Sequence, residues 1–90
     1  MLIKVAIIDD KSSNRNILKD KLLRHGHFTI TVMAEDGRDF LEKMKNLDEK
    51  QLPDVALMDL EMPNMDGVDA IAAGSSFFPS VKFVVLTIFD

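Results

Sequence analysis

Three aspartates in this 90-residue sequence directly follow apolar segments with the composition of buried strands. Asp9 and Asp10 follow the segment IKVAII near the N-terminus, and Asp59 follows VALM. Two carboxylates about 5 Å apart repel by roughly 3 kcal/mol at an effective dielectric near 20, so three of them in one place need a cation or a proton. The chain has no cysteine and no histidine near these strand ends, so the expected ion is a hard one: Mg²⁺, Mn²⁺ or Ca²⁺.

The same cluster of acids is suited to phosphate chemistry. Mg²⁺ usually takes one or two carboxylates, keeps several waters and leaves positions for phosphate oxygens. A carboxylate beside the ion can act as a nucleophile and form an aspartyl phosphate, while the metal offsets the charge on the transferred group. A structural alternative is that Asp9 and Asp10 only cap the following helix, whose dipole favours negative charge, and that Asp59 is a solvated acid at the end of a strand.

The segments around these acids alternate between strand and helix patterns. Strands are predicted at Ile3–Ile8, Phe28–Ala34, 55–58 and 81–88, with helices at about 13–24, from 36 or 37 to about 47, and at 68–73. Ser12 and Ser13 are candidate caps of the first helix, and Gly26 stands where it should stop. The third helix is predicted to end near Gly74, Ser75 and Ser76.

The order βαβαβαβ predicts an α/β fold: a doubly wound parallel sheet with right-handed crossovers and helices on both faces. In such sheets the ligand crevice lies outside the carboxyl ends of the strands, where the strand order reverses. We therefore expect Asp9, Asp10 and Asp59 to meet at one edge of the sheet, with Thr87 close to it.

Composition limits the alternatives. Hydrophobic residues make up 47% and charged residues 29% of the chain, as in ordinary folded domains, and ninety residues suffice for one core. The net charge of −4 and the absence of a basic stripe argue against direct DNA binding. No segment has the length of a membrane span or the pattern of a signal peptide, and we expect a cytoplasmic protein. The apolar fourth strand lacks an outer neighbour, which opens a route to a homodimer or strand-swapped oligomer.

Three motifs together resemble the receiver domain of bacterial two-component response regulators: IIDD at 7–10, LMDLEMPNMDG at 57–67 and VLTIFD at 85–90. They occur in the family's order and at its spacing. The resemblance implies a flavodoxin-like (CheY-like) receiver fold, with residues 1–90 as the N-terminal part of a single receiver domain and no second domain in the chain. The ending LTIFD is most similar to receivers that precede a helix-turn-helix output domain of the LuxR/NarL type.

The resemblance also implies a role for each site residue. Asp59 is the phosphoacceptor that takes a phosphoryl group from a phosphohistidine of a sensor histidine kinase. Asp10, Asp59 and the main-chain carbonyl of Glu61 bind Mg²⁺ directly, whereas Asp9 acts through a coordinated water. Thr87 is the switch hydroxyl. Such a domain catalyses its own phosphorylation and dephosphorylation and is not an enzyme with a separate substrate, and it reaches DNA only through an output domain outside this chain.

The sequence departs from the family's pattern in one respect and leaves two other functions to consider. Complete receivers continue with a fourth helix, a fifth strand that ends in a phosphate-contacting lysine, and a fifth helix. These are not among the 90 residues, so we expect an incomplete fold that accepts phosphate poorly.

A receiver-like interaction module that works without phosphorylation stays open as an alternative function. A Mg²⁺-dependent phosphohydrolase of the haloacid dehalogenase type is disfavoured, because it needs an aspartate two residues after Asp59, where the sequence has Glu61.

Overall fold

The computed structural model describes residues 1–59 and 67–86. Within these ranges the strands are β1 (Ile3–Ile8), β2 (Phe28–Ala34), β3 (Val55–Asp59) and β4 (Lys82–Leu86). The helices are α1 (Ser12–Arg24), α2 (Gly37–Lys45) and α3 (Gly67–Phe77), with one 3-10 turn at Glu49–Gln51. The alternation of strand and helix is therefore the one that the sequence predicts, and β1 and β2 match their predicted bounds residue for residue.

The strands form one parallel sheet in the order β2-β1-β3-β4. β1 lies between β2 and β3, so the chain places β2 on one side of β1 and then β3 and β4 on the other. The strand order therefore reverses between β1 and β3, and their carboxyl ends flank the crevice of a doubly wound fold. This confirms the α/β parallel architecture predicted from the sequence.

Side chains on both faces of the central strand β1 are buried. Ala6 and Ile8 belong to a core cluster that includes Phe40 and Met44 of α2 and, on its margin, Ile71 of α3. The alternate residues Val5 and Ile7 point to the opposite face because successive side chains in a strand alternate. They are also buried, and α1 contacts β1 and β2. The nearly continuous apolar sequence of β1 thus has a direct structural reason.

Helix α1 begins differently from the prediction and ends as predicted. Its N-cap is Lys11, which makes no side-chain capping bond, so the expectation that Ser12 or Ser13 caps the helix is wrong. The acceptor for the amide of Lys11 is instead a carboxylate oxygen of Asp9, at 2.9 Å. At the other end Gly26 has a φ of +72°, a conformation that glycine adopts without strain, and the helix stops just before it.

Helix α3 is longer than the sequence predicts. It continues through Gly74, Ser75 and Ser76 to Phe77, where the sequence indicated a stop. Gly74 is buried, and a Cβ atom at this position would lie 2.5 Å from the Phe83 ring. The glycine therefore provides room for an aromatic side chain of β4 and does not end the helix, an instance of tertiary packing that overrides a local signal.

The outer strand β4 pairs with β3 and, within the described residues, with no further strand. Val84, Val85 and Leu86 are 44%, 39% and 37% exposed, so the apolar composition of this strand is not matched by burial. Val81, which was predicted to open the strand, precedes it, and the predicted end at 87 and 88 lies outside the described residues. In the described part of the chain, no helix has the length and apolar character needed to cross a membrane.

Candidate functional site

The three aspartates singled out by the sequence meet at the carboxyl ends of two adjacent strands. Asp9 and Asp10 follow β1, and Asp59 is the last residue of β3, which pairs directly with β1. One carboxylate oxygen from each residue lies within 4.8 Å of the others. The acids therefore line the crevice at which the strand order reverses, as the sequence predicted from the topology alone.

Asp9 is held by the main chain and side chains around it. Its amide donates to the carbonyl of Ala34 on β2 at 3.1 Å, which continues the sheet one residue past β1. Its Oδ1 accepts from the amide of Lys11 at 2.9 Å, and its side chain is also hydrogen-bonded to Asn14. Its carbonyl accepts from Nη1 of Arg15 at 2.7 Å. The N-cap residue and the first turn of α1 thus fasten the end of β1 at three points.

The protonation of Asp9 reflects this environment. Burial raises the pKa of its carboxyl above the ordinary value of 3.8, and the negative charge of Asp59 and a hydrogen bond with Asp10 act in the same direction. The hydrogen bonds from Lys11 and Asn14 lower the pKa and offset part of this rise. The site therefore favours a positive partner for its carboxylates, either a proton or a cation.

The donor set fits a hard divalent cation. It consists of carboxylate oxygens, and Asp10 is exposed while Asp9 and Asp59 are half-buried, so the site is open to solvent on one side. Mg²⁺ binds oxygen ligands, needs few carboxylates and retains water, which an open cluster of this kind allows. Each of the three aspartates offers a carboxylate oxygen that could hold such an ion.

Comparison with known proteins identifies the family that has this arrangement. The profile of the response regulator receiver domain matches residues 5–90. The chain belongs to the response regulator receiver family. The fold and the motif resemblance in the sequence are both confirmed by this match.

Curated relatives of this receiver include chemotaxis and transcriptional proteins. The chain is 37% identical over 82 residues to the chemotaxis protein CheY of Thermotoga maritima, covering 91% of this chain and 64% of CheY. It is 39% identical over 88 residues to the transcriptional regulatory protein DegU of Brevibacillus brevis, covering 98% of this chain and 36% of DegU. The chain thus spans under two thirds of the length of these relatives.

Solved structures of receivers superpose closely on the chain. The signal receiver domain of the response regulator NarL from Mycobacterium tuberculosis has a TM-score of 0.84 at 31% identity, covering 99% of this chain and 68% of that one. CheY from Borrelia burgdorferi, in a complex with CheX, BeF₃ and magnesium, has a TM-score of 0.82 at 25% identity, covering 92% of this chain and 60% of the other. The magnesium in this comparison is part of the complex from Borrelia burgdorferi.

Two site residues predicted from the receiver resemblance lie outside the described residues. These are Glu61, whose main-chain carbonyl was predicted as a metal ligand, and Thr87, the predicted switch hydroxyl. Their roles remain predictions, as do those of Asp59 as phosphoacceptor and of Asp9 and Asp10 at the metal.

The sequence reasoning missed two residues that contact the acids, Asn14 and Arg15. Both lie in the first turn of α1, four and five residues after Asp10. A helix that starts immediately after a strand must bring its first turn back near the end of that strand. This proximity is the signal that could have identified them.

Proposed function

We propose that this receiver is a phosphoacceptor module of a two-component system, in which Asp59 accepts a phosphoryl group from the phosphohistidine of a sensor histidine kinase in the cytoplasm. The observation that carries the proposal is the convergence of Asp9, Asp10 and Asp59, with carboxylate oxygens within 4.8 Å of one another at the crevice between β1 and β3. Membership in the receiver family supports the same assignment.

The residues suggest how the transfer proceeds. A carboxylate oxygen of Asp59 forms a bond to phosphorus while the P–N bond to the kinase histidine breaks. The electron pair of that bond returns to the imidazole nitrogen, which takes up a proton from solvent. Because Asp59 ends a strand that is hydrogen-bonded to neighbours on both sides, its carboxylate is held in place for this attack.

A bound Mg²⁺ would neutralise charge on the carboxylates and on the transferred phosphoryl oxygens. Asp10 and Asp59 would hold it directly, together with the main-chain carbonyl of Glu61, and Asp9 would contribute through a water. Thr87 would supply the hydroxyl that responds to phosphorylation. In this proposal the domain catalyses only its own phosphorylation and dephosphorylation.

The output of the module is proposed to be transcriptional. The support is similarity to DegU, a transcriptional regulatory protein, and to the receiver of NarL. DNA contact would then be made by an output domain and not by the receiver itself. A relative of a different kind, the protein-glutamate methylesterase/protein-glutamine glutaminase of Methanococcus maripaludis, is 36% identical, but the chain covers only 20% of that protein. Its catalytic activity therefore gives no support for catalysis by this chain.

The test is phosphorylation of the purified chain by a small phosphodonor. Wild-type protein and the variant Asp59→Asn are incubated with acetyl phosphate, with and without Mg²⁺, and intact mass is measured over time. The proposal predicts a Mg²⁺-dependent gain of one phosphoryl group that is absent in Asp59→Asn.

Other outcomes would support the other functions. If the wild-type protein neither binds Mg²⁺ nor gains a phosphoryl group, the result would favour an interaction module that works without phosphorylation. Repeated release of phosphate from a range of phosphate monoesters would favour the phosphohydrolase. A phosphoryl group that also appears on Asp59→Asn would show that the acceptor is a different residue.

A further inference from the structure

We propose that Arg15 is a positioning residue for the acidic site, which it controls through the main-chain carbonyl of Asp9. The inference rests on the proposed function of the site. Nη1 of Arg15 donates to the Asp9 carbonyl at 2.7 Å, and the bond is partly buried. This is a short, charge-assisted hydrogen bond, a stronger kind than a bond between neutral groups.

The position of the accepting carbonyl gives this bond its importance. The carbonyl of Asp9 and the amide of Asp10 belong to the same planar peptide unit, so the direction of the carbonyl sets the position of the Asp10 Cα atom. Asp10 is exposed, so its position depends on this backbone and on the hydrogen bond between its side chain and that of Asp9. Through this peptide unit Arg15 helps to set where the Asp10 carboxylate lies relative to Asp59.

The other peptide unit of Asp9 is already fixed. Its amide donates to Ala34 on β2 at 3.1 Å, so the sheet holds the chain up to this residue. Beyond it the backbone leaves the sheet and enters α1, whose first turn includes the bond from the Arg15 amide to the Lys11 carbonyl at 3.1 Å. Arg15 thus joins the start of α1 to the last peptide before Asp10, at the point where the sheet no longer restrains the chain.

A purely electrostatic role for Arg15 makes the opposite prediction. A guanidinium bonded to the Asp9 carbonyl, beside the acidic site, repels a divalent cation there, so removal of its charge alone should tighten Mg²⁺ binding. Loss of a positioning bond should weaken binding, because residues that orient metal ligands typically contribute about 10-fold or more to metal affinity. The sign of the change in affinity therefore separates the two roles.

The experiment compares three variants with the wild-type chain. Arg15→Met removes both donor and charge, Arg15→Gln removes the charge but keeps an amide donor, and Arg24→Met removes the same charge from the exposed last turn of α1. Mg²⁺ affinity is measured by NMR titration of amide resonances. The ¹³C shift of the Asp9 carbonyl is measured in metal-free protein as a direct report on the hydrogen bond.

We expect Arg15→Met to lose about 10-fold in Mg²⁺ affinity and to shift the Asp9 carbonyl resonance, with partial recovery of both in Arg15→Gln. Arg24→Met should bind Mg²⁺ like the wild type. Equal or tighter binding by Arg15→Met, or equal loss in Arg15→Met and Arg24→Met, would overturn the positioning role. If the wild-type chain itself binds no Mg²⁺, the proposed function fails first, and the carbonyl shift alone then tests the contact.

Discussion

Lys4 and Asp54 hold the start of β1 against the start of β3 by two reciprocal hydrogen bonds. The amide of Lys4 donates to Oδ2 of Asp54 at 2.9 Å, and the amide of Asp54 donates to the carbonyl of Lys4 at 2.8 Å. The carbonyl of Asp54 in turn accepts from the amide of Lys82 at 2.9 Å. One residue therefore connects three strands at the edge of the sheet opposite to the acidic site.

We predict that Asp54→Ala lowers the free energy of unfolding by about 1 kcal/mol, because the Lys4 amide loses its carboxylate acceptor. Asp54→Asn should cost less, since the amide oxygen can still accept that bond. Urea denaturation monitored by circular dichroism measures both. Asp20→Ala, at an exposed position on α1, is the control and should not destabilise the protein. Equal stability of Asp54→Ala and wild type would contradict the prediction.

A second prediction concerns the close approach of Gly74 and Phe83. A Cβ at residue 74 would lie 2.5 Å from the Phe83 ring, which also packs edge-on against Phe40 at a centroid distance of 6.0 Å. Gly74→Ala should therefore destabilise the protein by about 1–2 kcal/mol, even though alanine favours helix.

Two further variants check the cause of that loss. The pair Gly74→Ala and Phe83→Leu should cost less than the sum of the single changes, because the shorter side chain leaves room for the added methyl group. Ser75→Ala, one residue further along the exposed side of α3, is the matched control and should change stability by less than about 0.5 kcal/mol. Strict additivity of the pair would rule out the steric explanation.

A third prediction follows from the raised pKa of Asp9, which burial and the charge of Asp59 hold above 3.8. The folded state binds the proton of this carboxyl more tightly than the unfolded state does. The contribution of Asp9 to stability is therefore greatest at low pH and falls as the pH rises through its folded-state pKa. Without divalent metal, Asp9→Asn should thus be more stable than wild type at about pH 7, and the difference should narrow towards about pH 4.

Urea denaturation across this pH range, in the presence of a chelator, measures the effect. Asn keeps an oxygen that can accept from the Lys11 amide, so the comparison isolates the charge. Asp20→Asn serves as the control for a general change in net charge. A difference between Asp9→Asn and wild type that grows on acidification would show that the sign of the pKa shift is wrong.

The fourth prediction is that Mg²⁺ stabilises the folded chain. At ten times its dissociation constant, a ligand that binds only the folded state raises the free energy of unfolding by about 1.4 kcal/mol. The effect should be lost in Asp59→Asn and in Asp10→Asn, which remove carboxylates from the cluster. Sodium chloride at matched ionic strength controls for general screening. The same stabilisation by Mg²⁺ in both variants would place the ion at another site.

Much of the fold could be predicted because its signals are local. The segments Ile3–Ile8 and Phe28–Ala34 are rich in β-branched and apolar residues, and both form strands with the predicted bounds. Alternation of strand and helix then requires a parallel sheet, and a parallel sheet brings the ends of its strands to one edge. For this reason the meeting of Asp9, Asp10 and Asp59 followed from the sequence without any contact being known.

The features that the sequence did not reveal depend on residues brought together from distant parts of the chain. Helix α3 continues through Gly74 because a Phe83 ring from β4 occupies the space beside it, and Asp54 joins strands by bonding to Lys4, fifty residues away. Apart from that of proline, helix preferences are worth at most about 1 kcal/mol per residue, so a single tertiary contact can reverse them. The sequence by itself thus determined the elements and the acids at the crevice. Only the tertiary structure decided which neighbours, Arg15 above all, hold those acids in place.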